Sequence, residues 1–353
     1  MLPMLPYQRI VRPLLFSLPP ENAHHLGEFL LKRKTLWKFL ERYLGTDDHR
    51  LKTTLAGIEL ANPVGVAAGC DKNCEFLSSL MNLGFGYAIG GTVTLEARKG
   101  NASPRLIRDK KQRSLVNSLG FPSKGAKAIV KNLGMSEARP IFLSIAGLTI
   151  EEFVELHRFV EPWARGIELN ISSPNTTGLR IFHEPGMFLQ LLEKINSVRH
   201  KPLLVKIPPY VSDQGKEVVL ALVRTAHEMG VDGITATNTQ PIQDPRLKVK
   251  TGGLSGKPLF QNMLRIVTDV RSEVGEGMTI NACGGISGPQ EAIQALKHGA
   301  NTVQLYTGLI YEGPGVAKNI NRGLSSYLSI HGLKSTRNIR SFADKAPYEN
   351  LLL

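Results

Sequence analysis

The sequence Glu168-Leu-Asn-Ile-Ser-Ser-Pro-Asn-Thr-Thr-Gly-Leu-Arg180 begins as an apolar run and ends in a polar loop. Residues 166–171, which overlap its first part, are typical of a parallel strand that is covered on both faces. Parallel sheets and barrels place their chemistry at the carboxyl ends of such strands. The amides and hydroxyls after the run therefore predict a binding site, with a lid over residues 176–183. An ordinary turn capped by Ser and Asn would explain the same residues.

Further strand-like runs alternate with helical stretches on both sides of this sequence. Eight β–α alternations of this kind predict an α/β protein with a (β/α)8 TIM barrel, over residues 51–330. We expect a hairpin over residues 51–60 and an irregular segment over residues 94–121 that helps to build the site. The strand-like runs are residues 64–68, 87–90, 141–145, 167–171, 203–207, 233–236, 279–283 and 302–306.

The first 44 residues differ from the barrel and predict an N-terminal helical extension. Leu26, Phe29 and Leu30 share one helix face, and Trp37 continues the apolar pattern among several basic residues. A basic amphipathic helix of this kind can lie in a membrane interface, or it can simply pack on its own barrel. No run of 18 apolar residues and no signal-peptide pattern is present, so we expect neither a membrane span nor secretion. Residues 331–353 are predicted to form a tail.

Charge and cysteine content limit the partners. The chain of 353 residues has a formal net charge of +13, which favours anionic ligands or a lipid surface. The basic residues are scattered without interleaved aromatic residues, so we expect no nucleic-acid partner. Its three cysteines form neither a disulfide framework nor a metal motif. We therefore expect a reducing compartment and no bound metal.

Glycine-rich segments and two lysines mark the ends of several predicted strands. Residues 251–256, 283–286 and 305–308 predict a phosphate site, because glycine lets backbone N–H groups approach an anion. Tight barrel turns are the alternative. Lys72 and Lys206 each end an apolar run, and a buried lysine needs an anionic partner. The negative edge of a reduced flavin would supply one, as would a structural carboxylate.

Eight short motifs lie near these strand ends: residues 68–72, 91–94, 117–121, 170–175, 205–207, 237–239, 251–256 and 306–308. In this order they resemble the motifs of the dihydroorotate dehydrogenases, a family of FMN-dependent barrels in pyrimidine biosynthesis. The resemblance covers residues 51–328. Two features resemble the membrane-associated, quinone-reducing class 2 branch. One is Ser173, where class 1 has Cys, and the other is Leu15-Phe-Ser-Leu-Pro-Pro-Glu-Asn-Ala-His24.

The resemblance implies a role for each matching residue. Ser173 would be the catalytic base, and His24 and Arg108 would lie near a quinone passage. The residues implied in binding dihydroorotate are Lys72, Asn117, Ser118, Leu119, Gly120, Phe121, Asn170, Asn175, Asn238 and Thr239. Those implied in binding FMN are Ala68, Gly69, Cys70, Asp71, Lys72, Thr92, Ser144, Asn170, Lys206, Thr237, Gly256, Gly285, Tyr306 and Thr307. Ser144 departs from the family pattern, which has Asn there.

The implied reaction is the oxidation of dihydroorotate to orotate, with a quinone as the final acceptor. Ser173 would remove the C5 proton while hydride passes from C6 to FMN. A serine hydroxyl is a poor base, so we expect it to pass the proton to water, Thr176 or Thr177. The implied location is the cytoplasmic face of a bacterial-type cytoplasmic membrane, with peripheral attachment through the extension.

Three alternatives remain open at this stage. The first is a soluble class 1-like dihydroorotate dehydrogenase that uses fumarate or NAD. The second is another FMN barrel that acts on a different pyrimidine or on a tRNA uridine. The third is a barrel without catalytic activity that binds phosphate ligands or a membrane partner, which a purified protein without flavin would favour.

Overall fold

The structure is a computed structural model that describes residues 7–133, 139–176 and 178–343. A parallel barrel is its centre, and a second sheet and several helices surround it. The strands are β1 (Thr53–Leu55), β2 (Ile58–Leu60), β3 (Val64–Val66), β4 (Tyr87–Val93), β5 (Leu106–Asp109), β6 (Ser114–Asn117), β7 (Ile141–Ile145), β8 (Gly166–Asn170), β9 (Leu203–Ile207), β10 (Gly233–Ala236), β11 (Gln240–Gln243), β12 (Thr251–Gly256), β13 (Thr279–Cys283) and β14 (Thr302–Leu305).

The helices follow the pattern of a barrel with an N-terminal addition. Three of them precede the barrel, and most of the others connect successive parallel strands. The helices are α1 (Val11–Ser17), α2 (Pro20–Leu31), α3 (Lys34–Leu44), α4 (Leu77–Asn82), α5 (Ala126–Leu133), α6 (Ile150–Val160), α7 (Pro185–Asn196), α8 (Asp213–Glu228), α9 (Phe260–Val274), α10 (Pro289–Lys297), α11 (Thr307–Glu312), α12 (Val316–Ile330) and α13 (Asn338–Ala343). The predicted tail is described as far as α13.

The barrel closes in the order β3-β4-β7-β8-β9-β10-β13-β14, with parallel pairing between the neighbouring strands. These are the eight runs expected from the sequence, so the (β/α)8 prediction is confirmed. The strands are buried on both faces because helices cover the outside and side chains fill the inside. The predicted hairpin is also present, as β1 and β2. It contacts the start of β13 and therefore closes the amino end of the barrel.

A four-stranded antiparallel sheet, in the order β11-β12-β6-β5, stands at the carboxyl end of the barrel. Two sequence expectations are wrong here. Residues 94–121 contain the hairpin of β5 and β6 where an irregular segment was expected, and residues 251–256 form strand β12 where a loop was expected. Phosphate binding by residues 251–256 stays a prediction. Glycine is unfavourable in strands, so β12 carries little local β signal. At Gly253 a side chain would collide with the Thr239 hydroxyl, which explains why this strand lacks side chains there.

Helix α2 is fastened to the barrel near both of its ends. At its start, Glu21 accepts hydrogen bonds from Arg105 Nε at 3.1 Å and from Ser103 Oγ at 2.9 Å. Near its end, Lys32 Nζ lies 2.8 Å from a carboxylate oxygen of Glu75. The outer surface of the extension carries exposed apolar side chains, and Phe29 and Phe39 are each 54% exposed. Within the described residues, no helix is both long and apolar enough to cross a bilayer.

His157 is a buried titratable group on the outer layer of the barrel, away from the strand ends. It is fully buried on α6, and neither of its ring nitrogens has a hydrogen-bond partner in the described structure. Glu161 lies 3.7 Å from Nε2, too far for a hydrogen bond, and its oxygen accepts the backbone N–H of His200 instead. Burial therefore dominates and lowers the pKa of His157 to about 4.

Acidification is expected to destabilise the fold through His157. Below the ordinary histidine pKa of about 6.5, His157 is protonated in the unfolded chain but stays neutral in the folded protein, where it is buried. The free energy of unfolding should therefore fall as the pH drops from about 6.5 towards about 4, by about 3 kcal/mol in total. Urea unfolding across this pH range measures the loss. His157→Leu should remove this part of the slope, and the exposed His49→Gln is the matched control. An unchanged slope in His157→Leu would assign the loss to other groups.

Candidate active site

A cavity of about 420 Å³ opens at the carboxyl end of the barrel, between the strand ends, the four-stranded sheet and helix α2. Its size suits a small organic ligand or cofactor. Most of the residues that the sequence assigned to a site line this cavity. Five do not, and lie behind its wall or beside it: Cys70, Asp71, Arg108, Ser118 and Ser144.

Buried amides at the ends of β8 and β10 are fixed by hydrogen bonds to one another and to hydroxyls. Asn238 Nδ2 donates to Ser172 Oγ at 2.9 Å and to Asn170 Oδ1 at 3.3 Å. Asn170 Nδ2 donates to Thr92 Oγ1 at 2.9 Å, and Asn170 is only 4% exposed. Because each amide has one orientation that satisfies its neighbours, the cavity presents a fixed set of donors and acceptors.

Ser144 contributes to this network from behind. Its hydroxyl lies 3.1 Å from Thr92 Oγ1, and its side chain is fully buried. It therefore fixes the hydroxyl of Thr92 by a hydrogen bond. Thr92 itself lines the cavity and accepts a hydrogen bond from the side-chain amide of Asn170. Serine is shorter than the Asn that the family pattern has at this position, and Ser144 influences the cavity through the hydroxyl of Thr92.

A second pair of amides joins the four-stranded sheet to the loop after β8. Asn175 Nδ2 donates to the backbone oxygen of Asn117 at 3.0 Å and to its side-chain oxygen at 3.1 Å. Asn117 Nδ2 in turn donates to the backbone oxygen of Gly253 at 3.4 Å. The loop that carries Ser173 is thus held against β6 and β12.

Ser173 lines the cavity next to these amides. Its hydroxyl accepts the backbone N–H of Asn175 at 3.4 Å and lies 3.4 Å from Thr176 Oγ1. Among the described residues, no carboxylate or imidazole is hydrogen-bonded to it, so the threonine is its nearest proton partner. Thr177, the other expected partner, lies outside the described residues. The predicted lid ends in a short helical turn, Leu179–His183.

Lys206 is a buried cation in the wall of the cavity. It is 5% exposed and aligns with Asn170 of β8 and Thr235 of β10. In the part of the chain that the structure describes, none of the ion pairs includes its ammonium. The nearby buried carboxylate of Glu168 instead accepts the Thr235 hydroxyl at 2.7 Å. A buried ammonium of this kind calls for an anionic ligand.

Lys72 meets the N-terminal extension. Its ammonium lies 3.2 Å from His24 Nε2, and Tyr306 OH lies 3.3 Å from His24 Nδ1. Glu28, one helical turn after His24, places a carboxylate oxygen 3.0 Å from the same Nε2. Burial lowers the pKa of Lys72, while the charge of Glu28 raises it. The sequence interpretation missed Glu28, although its spacing from His24 on a predicted helix was visible.

Arg108 lies apart from His24. It is on β5, donates to the backbone oxygen of Phe16 at 3.2 Å and stacks on the Phe16 ring at 4.1 Å. It therefore anchors α1 to the four-stranded sheet, outside the cavity lining. Sequence reasoning also missed the contact between Ser255 and Thr307, whose hydroxyls lie 2.9 Å apart across the cavity wall.

Several proteins that carry the name dihydroorotate dehydrogenase are similar to this chain in sequence and fold. The family model for dihydroorotate dehydrogenase matches residues 50–328. The dihydroorotate dehydrogenase (quinone) of Chelativorans sp. is 34% identical and that of Sulfurimonas denitrificans is 36% identical; the alignments cover 94% and 93% of this chain and 95% and 96% of those proteins. The crystal structure of DHODH from Eimeria tenella in complex with ferulenol superposes with a TM-score of 0.80 at 27% identity, over 95% of this chain and 99% of that one.

These matches agree with the architecture and the motifs described above. They span both the barrel and the extension, since more than nine-tenths of the chain is covered. The family predicted from the motifs is thereby confirmed. The chain belongs to the dihydroorotate dehydrogenase family.

Proposed function

We propose that this chain oxidises dihydroorotate to orotate, with FMN as its flavin and a quinone as the final electron acceptor. One observation carries the proposal: a hydroxyl, a fixed set of amides and a buried ammonium without an ion-pair partner among the described residues share one cavity at the barrel's carboxyl end. The names of the quinone-dependent relatives support the acceptor. The class 1-like alternative lacks such support.

The cavity wall offers one group for each end of FMN, a buried cation for the flavin ring and a bare backbone turn for the phosphate. Lys206 would face the edge of the ring that becomes negative, because it has no carboxylate partner among the described residues. Gly285 has a φ of +75°, and a side chain there would collide with Phe260, so bare backbone faces the cavity at this turn. With Thr307, this turn would hold the phosphate. When bound, the flavin takes hydride from the substrate and transfers two electrons to the acceptor.

The amides would select and orient the pyrimidine. Asn117 and Asn175 form one hydrogen-bonded pair in the cavity wall, and Asn170 and Asn238 form another. A ring with alternating carbonyl and N–H groups satisfies such a set, whereas an analogue that lacks one partner leaves a buried amide unpaired. The Lys72 ammonium would pair with the substrate carboxylate.

Ser173 would remove the proton from C5 of the bound substrate. Its hydroxyl accepts the Asn175 N–H, which fixes the loop but leaves the oxygen a weak base. The proton must therefore move on, and Thr176 Oγ1 at 3.4 Å is the nearest hydroxyl in the described structure. From there water would carry it away, while the loop keeps bulk water from the reacting carbon.

We place the extension on a membrane surface, at the cytoplasmic face of a bacterial-type cytoplasmic membrane. Its outer face carries exposed apolar side chains, among them Leu14, Phe29 and Phe39. Arg33 stacks on Phe29 at 4.5 Å and Arg42 on Phe39 at 4.6 Å, so cations flank the apolar surface. This combination favours an anionic lipid interface. A quinone dissolved in the membrane would enter beside α2, which forms part of the cavity wall.

Replacing the exposed aromatic residues should weaken membrane binding. Phe29→Ser and Phe39→Ser are each expected to reduce affinity for vesicles with anionic lipids by about tenfold, since each ring buries apolar area in the interface. Vesicle co-sedimentation measures the loss. The control is Ile330→Ser, because Ile330 is 78% exposed but lies on α12, outside the extension. Equal losses in all three variants would show that the extension has no special role.

An anaerobic absorbance spectrum before and after dihydroorotate tests the function itself. A yellow protein that bleaches on addition supports FMN, the substrate and the first half of the reaction. A yellow protein that does not bleach points to another pyrimidine. A colourless protein that cannot take up FMN overturns the proposal. A screen of quinone, fumarate and NAD then separates the acceptors.

A further inference from the structure

A carboxylate, an imidazole, an ammonium and a phenol meet where helix α2 crosses the cavity. Glu28 Oε1 lies 3.0 Å from His24 Nε2, Lys72 Nζ lies 3.2 Å from that same nitrogen, and Tyr306 OH lies 3.3 Å from Nδ1. All four of these groups line the cavity, and His25 lines it as well. The inference below concerns Glu28 and rests on the proposed function.

Two neighbours compete for one nitrogen of His24. The Lys72 ammonium can only donate, so it favours a neutral ring with a bare Nε2. The Glu28 carboxylate can only accept, so it favours a ring with a proton on Nε2. In the doubly protonated ring both N–H groups find an acceptor, at Glu28 and at the phenol oxygen of Tyr306. Glu28 therefore decides whether His24 can carry a proton beside a cation.

The charges around the ring support this competition. Burial and the Lys72 ammonium lower the pKa of His24 below its usual value, and the hydrogen bond and charge of Glu28 oppose this lowering. Burial raises the pKa of Glu28, but the contacts with His24 and the charge of Lys72 outweigh burial and lower it to about 2. The carboxylate thus stays ionised at neutral pH. The other charged or titratable groups that face this cluster are Glu21, His25, Lys32, Cys70, Asp71, Glu75 and Arg105.

The reaction needs a proton on this side of the cavity. Reduction of a quinone to a quinol takes up two electrons and two protons. Both electrons and one hydrogen come from dihydroorotate by way of the flavin, whereas the C5 proton departs at Ser173. The second proton of the quinol must come from the protein or the solvent near α2. His24 is placed for this transfer, because its side chain is 20% exposed and also lines the cavity.

We propose that Glu28 is a positioning residue that keeps His24 able to hold a proton beside Lys72, and that His24 gives this proton to the quinone as it is reduced. The O–H bond of the quinol forms as the N–H bond of the imidazolium breaks. Solvent then restores the proton. His25, whose side chain is 67% exposed, lies 3.4 Å from the second Glu28 oxygen and provides a route from the surface.

The direct test follows protonation of the His24 ring by NMR in the full-length protein with FMN, labelled at histidine. Removing an opposite charge at hydrogen-bond distance lowers the midpoint of protonation by about one pH unit or more. Glu28→Gln should show this shift, and Glu28→Asp should recover part of it. Glu41→Gln removes a carboxylate from exposed α3 and is the matched control. His24→Gln assigns the signal.

The second readout is the rate at which a water-soluble benzoquinone reoxidises the reduced enzyme, measured against pH. In Glu28→Gln the alkaline decline in rate should begin at least about one pH unit lower than in the wild type. A His24 midpoint and a pH profile that both match the wild type would overturn the proposal. If Glu28→Gln does not fold, a wild-type pH profile in His24→Gln would overturn it as well.

The failure of this inference is distinguishable from failure of the proposed function. Reduction of the flavin by dihydroorotate is followed separately, under anaerobic conditions and without quinone. An enzyme that is not reduced contradicts the proposed function. An enzyme that is reduced normally, but whose reoxidation is insensitive to Glu28, contradicts only the role of Glu28.

Discussion

Ser173→Ala is expected to slow the reduction of bound flavin by dihydroorotate about a thousandfold, while the flavin stays bound. The reason is that the hydroxyl takes the C5 proton, and a positioned base of this kind contributes about two to four orders of magnitude. The flavin should remain because Ser173 is held by Asn175 and Thr176 and not by the residues assigned to the cofactor. Anaerobic stopped-flow absorbance measures the rate, and the flavin content of the purified variant is the second readout.

Two further variants sharpen this test. Ser173→Cys should retain part of the activity, since a thiol is a much stronger acid than a hydroxyl and its thiolate can act as the base. Ser172→Ala removes the neighbouring hydroxyl, which binds Asn170 and Asn238 and does not line the cavity. Its loss should be much smaller. Wild-type reduction in Ser173→Ala, or an equal loss in Ser172→Ala, would assign the proton to another group.

Lys206→Met should weaken FMN binding by about a hundredfold and yet leave the apoprotein at least as stable to heat. Without the flavin, the ammonium is buried with no carboxylate partner among the described residues, which costs free energy. Methionine removes that cost in the apoprotein. In the complex it leaves the electron-rich carbonyl edge of the flavin ring without a buried cation, and a hundredfold loss of affinity corresponds to about 3 kcal/mol. Flavin fluorescence during titration of the apoprotein gives the affinity, and thermal unfolding gives the stability.

Weaker FMN binding without a loss of apoprotein stability would distinguish a lysine that serves a ligand from one that serves the fold. A structural ion pair would make Lys206→Met lose stability with or without flavin. Lys257→Met is the control, because Lys257 also borders the cavity but is exposed, so solvent already screens its charge. It should lower the affinity for FMN only slightly. Equal effects at both positions would contradict a special role for the buried lysine.

The barrel was predictable because its signal is local. Runs such as residues 64–68 are short and continuously apolar, and stretches with helical periodicity lie between the runs, so each strand can be recognised without its partners. The sheet of β5, β6, β11 and β12 carries no comparable signal. Its strands are short, one is rich in glycine, and their pairing joins loops that are distant in the chain. Only the tertiary structure brings them into register.

The site was predictable in composition but not in orientation. Ser173 and the asparagines Asn170, Asn175 and Asn238 do line one cavity, as their positions after predicted strands suggested. Whether a loop side chain points inward depends on backbone turns that motifs do not specify. Ser118 is buried away from the cavity, and the Asp71 carboxylate accepts the N–H of Phe76 at 2.7 Å. The roles of Ser173 and Lys206 stay predictions until they are measured.

The four-stranded sheet has a consequence for how this enzyme can change over evolution. Asn117 and Gly253 are hydrogen-bonded although they are 136 positions apart, and β6 pairs along its whole length with residues 253–256 of β12. The hairpin of β5 and β6 and the hairpin of β11 and β12 are therefore inherited as one unit, because an insertion in one of these two loops shifts its register against the other. A chimaera that takes only one of them from a relative would receive half of a sheet, with a row of backbone groups lacking partners. Lineages that alter this mouth of the barrel must change both loops together.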